Sequence, residues 1–363
     1  MKAAIFHGTG RPHTFEEVEI DRPKGHEVLV RTVACGVCHS DLSAAEGKVP
    51  VPAPMILGHE PAGIVEAVGE KVTDFAPGDH VIARLRPFCG QCKQCVCGQP
   101  NRCTNRVPTQ RRPDDRPRMT YRGNKIVGIT GDAAGFAEKM LTHENGFVKI
   151  PEDVPLGSAA LLGCAVVTGV GAVMNTARVE AGSTVAVFGA GGIGLSAIQG
   201  ARIAGARRII AVDVNESKLA AARRFGATDA IDASSADPVQ AIRKLTGEGV
   251  DYSFEAIGLK QTAQQCIDVL APGGIATIIG VMGFDERVEI DPMSLLAEKR
   301  VQGCSMGSTR IRIDAPRYIE LYQQGRLLLD EMVTRRIRLE QLDEAFAAMN
   351  RGEVLRSVIM FDS

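Results

Sequence analysis

The sequence predicts an α/β protein in two parts. One is a β-rich part with a cysteine-rich loop, and the other is a doubly wound parallel sheet. Three observations carry this. The N-terminal segments read as short strands bounded by Gly, Pro and Asp. From about Ala165 onward, apolar strands alternate with helical patterns. The first of those strand–helix turns is Gly189-Ala190-Gly191-Gly192-Ile193-Gly194.

In the first part, Lys2–Phe6, Phe15–Ile20, Glu27–Val33, Ile64–Val68 and His80–Ala83 carry the β-branched and apolar residues of strands. Long loops join them. One holds the cysteines from Cys89 to Cys103. The next, Arg106 to Asn124, mixes Arg, Pro and Asp and reads as a solvated surface. Ala159 to Met174 is an apolar run shorter than the ~20 residues of a membrane span, so it reads as a buried helix.

The second part alternates. Strands are expected at Thr184–Phe188, Arg208–Asp213, Ala230–Ile231, Val250–Glu255 and Ile275–Val281. Helices are expected at Gly192–Ala204, Lys218–Phe225, Val239–Leu245 and Thr262–Leu270, the last capped by Pro272-Gly273-Gly274. Helices at Arg317–Gln324 and Leu342–Arg351 follow, with a strand at Ser357–Phe361.

The chain has 363 residues, which suggests two domains at ~150 residues each. With 45% hydrophobic and 23% charged residues it is too apolar to be disordered. Its 42 basic and 43 acidic residues leave a net charge of −1, which gives no long-range pull on nucleic acid or an anionic membrane. No apolar leader precedes His7, so a cytoplasmic protein is expected. Ten cysteines in such a chain point to metal or catalysis rather than to a disulfide framework.

The glycine motif opens a nucleotide site. Gly189 permits the tight turn, Gly191 the approach of a pyrophosphate, and Gly194 the packing of helix on strand. Asp213 ends the next strand 19 residues after Gly194, near the ~20 expected of the acid that binds the adenosine ribose. A carboxylate there repels a 2′-phosphate, so NAD is favoured over NADP. Lys218 is a candidate for a further ribose contact, although a lone Lys on an amphipathic helix reads more readily as surface.

Two metal constellations stand out. Cys89, Cys92, Cys95 and Cys103 can close on one tetrahedral ion with no position left for water, the pattern of a structural zinc. Cys97 is a fifth thiol in the same loop and could swap in as a ligand. Cys38, His59 and Cys164 would make a Cys₂His site with an open fourth position, as in catalytic zinc. A rival reading takes Cys35 and Cys38 as a redox pair, but no helix clearly starts at the second cysteine and no thioredoxin-sized domain is evident.

The set Gly36-Val37-Cys38-His39-Ser40-Asp41, Gly58-His59-Glu60, the four-cysteine loop, Gly163-Cys164-x3-Thr168-Gly169, Gly189-x-Gly191-x-x-Gly194 and Val354-Leu355-Arg356-Ser357 resembles the zinc-dependent alcohol dehydrogenases of the medium-chain dehydrogenase/reductase family. The resemblance implies a GroES-like catalytic domain at 1–165, completed by 308–363, and a Rossmann NAD-binding domain at 166–307. It implies two zinc ions per chain. Cys38, His59 and Cys164 would hold the catalytic one, with Glu60 as a transient ligand and Asp41 hydrogen-bonded to His59. Ser40 would take the substrate proton. His39 and Arg356 would contact the pyrophosphate, Thr168 would pack by the nicotinamide, and Val281 would be a further cofactor contact. The 60 residues between Cys103 and Cys164 resemble the longer-loop, typically dimeric branch.

Two departures bear on mechanism. Ser43 stands where many relatives place a relay histidine, and Leu85, between Arg84 and Arg86, stands where many place an aromatic. The apolar candidates Leu85, Val281 and Met306 favour bulky uncharged primary alcohols, allylic, benzylic or medium-chain, as substrates. The alternatives are a thiol-adduct formaldehyde dehydrogenase of the S-hydroxymethyl-glutathione type and, outside catalysis, an NAD-binding structural or sensor protein. Intact Cys38, Ser40, His59 and Cys164 speak against the last.

Overall fold

A computed structural model describes residues 1–129, 133–283 and 285–361. The chain forms two compact units. The first is Met1–Cys164 with Arg310–Gly325 and Leu329–Ser363, and the second is Ala165–Thr309 with Arg326–Leu328.

The first unit is built on a seven-stranded sheet. Its path runs Phe147–Lys149, His80–Ala83, Glu60–Val68, Glu27–Val37, Arg356–Met360 and Val333–Ile337, with Lys139–His143 also on Glu27–Val37. Glu27–Val37 is longer than expected because it pairs antiparallel with both Glu60–Val68 and Arg356–Met360, which bring Gly36 opposite Glu60 and Val358. The segment expected as one strand at Phe15–Ile20 is two, Thr14–Glu17 and Glu19–Ile20, because its halves pair with different partners, Lys2–Phe6 and Met119–Tyr121. A core of Ile5, Phe6, Val28, Leu57, Phe136, Phe147 and Phe346 lies against these strands.

The second unit holds six parallel strands in the order Asp229–Asp232, Arg208–Asp213, Thr184–Phe188, Val250–Glu255, Leu270–Ile278 and Arg300–Gly303. This is the 3-2-1-4-5-6 order of a dinucleotide-binding sheet. Thr184–Phe188 is buried at every residue, as a central parallel strand should be. The helix expected at Thr262–Leu270 is Lys260–Asp268, and Pro272-Gly273-Gly274 does not cap it. The strand begins at Leu270, and its pairing with Val250–Glu255 shifts register between Val250 and Tyr252, so the Pro-Gly-Gly residues sit within the strand at that irregularity.

The apolar run at 159–174 is not one helix. Leu156–Ala159 and the 3₁₀ turn Ala160–Gly163 end at Cys164, whose φ of −146° and ψ of −71° leave the helical region. Ala165–Gly171 and a π-helical segment Ala172–Ala177 follow. Among the described residues no single helix is long and apolar enough to cross a membrane.

Candidate metal centres and nucleotide site

Cys38 occupies the N-cap of the short helix His39–Ala45, in extended geometry, at the end of the strand Glu27–Val37. His59 immediately precedes the strand Glu60–Val68. Gly58 before it has φ +89°, and a Cβ there would meet the Phe136 ring at 2.5 Å, so only glycine lets His59 take its position. These elements and the break at Cys164 bring Cys38, His59, Glu60 and Cys164 together, all buried, with ligand atoms within 4.8 Å of one another.

His59 Nδ1 lies 2.9 Å from Asp41 Oδ1, which also accepts from the Gly58 N–H at 3.0 Å. The opposite ring nitrogen, His59 Nε2, is buried and has no hydrogen-bond partner among the described residues. An orphaned imidazole nitrogen aimed among two thiols fits a metal ion, and Cys₂His is the donor set zinc takes when a position stays open. The Cys38 thiol is pushed well below its usual range by the hydrogen bond from Cys164, whose own thiol is pushed well above it.

Glu60 is buried and ion-paired with Arg356. Burial pushes its carboxyl up to about 7, against the pull of the Arg356 guanidinium. Arg356, expected at the pyrophosphate, thus has its guanidinium buried beside Glu60 in this structure. Ser40 and Ser43 lie one turn apart on the helix His39–Ala45, both half-buried, and His39 is exposed at its start.

Cys89, Cys92, Cys95 and Cys103 also converge within 4.8 Å. Sulfur separations are 4.0 Å for Cys89–Cys95, 3.6 Å for Cys92–Cys95 and 3.9 Å for Cys92–Cys103. A tetrahedron with ~2.3 Å zinc–sulfur bonds has edges of about 3.8 Å, so the four thiols fit the ion. Backbone N–H groups of Cys89 and Cys92 point at the sulfurs of Cys103 and Cys89, both at 3.3 Å. Hydrogen bonds, first from the Cys95 backbone, pull the Cys92 thiol down to about 5, while burial pushes Cys95 up to about 12. Cys97 is exposed and outside the cluster. Cys35 is buried within the strand three residues before Cys38. At about 3.3 Å per residue that spacing is too long for a disulfide.

In the second unit Gly189 has φ +95° and its N–H donates to the Val212 carbonyl at 2.8 Å. A Cβ on Gly194 would collide with the Gly189 carbonyl, whereas one on Gly191 would meet nothing within 4 Å. Gly191 caps the 13-residue helix Gly192–Ala204 without any side-chain bond, so the N-terminal N–H groups and open backbone suit a pyrophosphate. Asp213 Oδ2 accepts from the Ala190 N–H at 2.7 Å and Oδ1 from the Asn215 N–H at 3.0 Å, so the ribose-binding candidate also braces the glycine loop. Ile193 and Lys218 are half-buried near the two helix starts. Thr168 is buried in the helix Ala165–Gly171, and Val281 is exposed. Met306 lies in a left-handed turn with Gly307 and Ser308.

The Arg-rich loop differs from its expected role as a solvated face. Arg111 ion-pairs with Asp21 at 2.6 Å and with Glu27 at 2.5 Å, and Arg118 with Glu27 at 2.7 Å, all with little exposure. Burial raises the Glu27 carboxyl, but the two guanidinium groups outweigh it and hold it below its usual range. Partners 84 to 91 positions away cannot be read from local composition. Arg84 is buried as well, rather than open beside a substrate, and its nearness to the four-cysteine loop in sequence was the available signal.

Residues 24–152 match the alcohol dehydrogenase GroES-like domain family and residues 192–324 the zinc-binding dehydrogenase family. The chain is 38% identical to a class-3 alcohol dehydrogenase of Myxine glutinosa, over 99% of this chain and 97% of that one. It is similar to the crystal structure of an alcohol dehydrogenase zinc-binding domain protein from Burkholderia ambifaria, with TM-score 0.94 and 38% identity over 100% and 99% of the two chains. It is also similar to benzyl alcohol dehydrogenase from Acinetobacter calcoaceticus, with TM-score 0.93 and 34% identity over 99% of each.

Proposed function

The chain belongs to the zinc-binding alcohol dehydrogenases of the medium-chain dehydrogenase/reductase family, and from that premise we propose that it oxidises bulky, uncharged primary alcohols reversibly to aldehydes with NAD. When bound, zinc would supply Lewis-acid polarisation at the substrate oxygen and NAD would supply the hydride acceptor. Cys38, His59 and Cys164 hold the catalytic ion, and Asp41 keeps the proton on His59 Nδ1 so that Nε2 stays free as a ligand. Ser40 takes the substrate proton and passes it along the helix face towards Ser43. Gly191 and the helix start behind it hold the pyrophosphate, while Asp213 accepts from the adenosine ribose. Cys89, Cys92, Cys95 and Cys103 hold the second, structural ion.

The observation that carries the substrate class is the locking of Arg111 and Arg118 onto Asp21 and Glu27. Those guanidinium groups are committed to the fold, so they are not free to anchor the carboxylates of a thiol conjugate. An apolar substrate gains about 0.8 kcal/mol per buried CH₂, enough for a benzyl group to outrun ethanol by orders of magnitude in kcat/KM. The 38% identity to a class-3 enzyme favours the thiol-adduct reading instead. NADH formation from benzyl, allylic and aliphatic alcohols, and from formaldehyde with glutathione, separates the two. Benzyl alcohol as the faster substrate supports the reading, and faster glutathione-dependent formaldehyde turnover overturns it.

A homodimer is the assembly this reading favours. Arg300–Gly303 ends the strand order of the parallel sheet, and the nearby Met293, Leu295 and Leu296 are exposed, an edge and apolar surface that a second copy would cover. Six metal-binding thiols also need a reducing compartment, which supports the cytoplasm. Light scattering on the purified enzyme tests the assembly, with a monomer counting against it.

A further inference from the structure

We propose that Arg84 is the counter-charge of the four-cysteine zinc site, a positioning residue that lets a doubly negative tetrathiolate keep its metal. The inference rests on the reading that Cys89, Cys92, Cys95 and Cys103 bind zinc. Four thiolates and one Zn²⁺ leave a net charge of −2, which is costly wherever solvent is restricted.

Arg84 carries the complementary problem. It is 5% exposed, and its Nε and Nη1 atoms are buried with no hydrogen-bond partner among the described residues. Among the described residues no carboxylate acts on it. Negative charge on the Cys103 and Cys95 sulfurs favours its charged form and Arg86 opposes it, while a further cation, Arg312, lies over the same Phe88 ring at 5.7 Å. Burial pushes its guanidinium down to about 10, so it remains charged at neutral pH. A buried cation with unpaired Nε and Nη1 donors and a half-buried dianion beside it relieve one another.

Its placement is fixed from both ends. The Arg84 N–H donates to the Gly146 carbonyl at 2.9 Å. Its guanidinium lies over the Phe88 ring, 5.4 Å from the centroid, and Phe88 immediately precedes the ligand Cys89. The surrounding sequence is one-sided: residues 84–113 contain Arg84, Arg86, Lys93, Arg102, Arg106, Arg111 and Arg112 and neither Asp nor Glu. Arg86, Lys93 and Arg102 are exposed, where water screens their charge. Arg111 is committed to Asp21 and Glu27. Arg84 combines burial with orphaned donors, and a guanidinium offers N–H groups suited to thiolate sulfur.

The test compares the full-length wild-type enzyme with Arg84→Met and Arg84→Lys. Zinc is counted before treatment, and the release of the slower ion to a chromogenic chelator is followed in time. The expected result is two zinc ions per chain in the wild type, a slow phase about tenfold or more faster in Arg84→Met, and a rate restored most of the way in Arg84→Lys. Rescue by lysine is the readout that a packing role would not produce. A wild-type release rate in Arg84→Met, or no rescue by Arg84→Lys, overturns the inference while the zinc site stands. A wild-type count of one overturns the site reading and the inference with it. Arg84→Gln replaces Arg84→Met if the latter does not fold, with the same deciding outcomes.

Discussion

His59 Nδ1 sits 2.9 Å from Asp41 Oδ1, with both side chains fully buried. The carboxylate holds the proton on Nδ1 and leaves Nε2 with its lone pair directed among Cys38, Glu60 and Cys164. Asp41→Asn should therefore weaken zinc binding at this site by about 10- to 100-fold while NAD binding survives. Zinc retention during dialysis against a graded chelator measures it. Unchanged retention would show that Asp41 does not orient the ligand.

The two thiol sites should respond differently to mutation. Cys38→Ala should give a folded, NAD-binding, inactive protein. Cys92→Ser should lower stability and soluble yield, because metal binding there contributes to folding. Circular dichroism and NAD titration of both variants check this.

NAD⁺ should exceed NADP⁺ by well over tenfold in kcat/KM if Asp213 binds the adenosine ribose as proposed, since its carboxylate would repel the added phosphate. Asp213→Gly should narrow that gap and also raise KM for NAD⁺, since the Ala190 N–H loses its acceptor. Steady-state kinetics with both cofactors decide it, and equal use by the wild type would refute it.

Ser40→Ala should cost about 10²-fold in kcat, the scale of a lost proton-transfer partner. Ser43 lies one turn further along the same helix. Ser43→His should raise the rate below neutral pH if the proton leaves along that face. An unchanged pH profile would mean another exit.

Glu27 holds Arg111 and Arg118 in place, and losing one partner of a buried pair costs about 3–5 kcal/mol. Its carboxyl is held below the usual range, so the stability it adds is present above the unfolded-state value and is lost as the pH falls through the folded-state value. Glu27→Gln should thus be clearly less stable than wild type at pH 7, with the difference shrinking in acid. Denaturant unfolding at both pH values measures it.

The parallel sheet was legible because its signals are local. Thr184–Phe188, Gly192–Ala204 and Arg208–Asp213 show an apolar run, a glycine turn and a helical period in succession, and the structure has these bounds. The cysteines and the histidine that converge in the two clusters could be picked out by spacing and family resemblance. Other features depend on partners far along the chain. Nothing near Arg356 announces its pairing with Glu60, 296 positions away. The burial of Arg111 likewise needs Asp21 and Glu27. The break at Cys164 interrupts a run whose composition reads as continuous helix. Pro272-Gly273-Gly274 carries the signature of a cap, yet parallel pairing on both sides draws it into a strand.

The most direct test is one chelation time course in which zinc per chain and NADH-forming activity on benzyl alcohol are followed together. The account predicts two zinc ions at the start, with activity falling in step with loss of the first and the fold persisting until the second leaves. A single zinc at the start, or activity that survives departure of the labile ion, would contradict it.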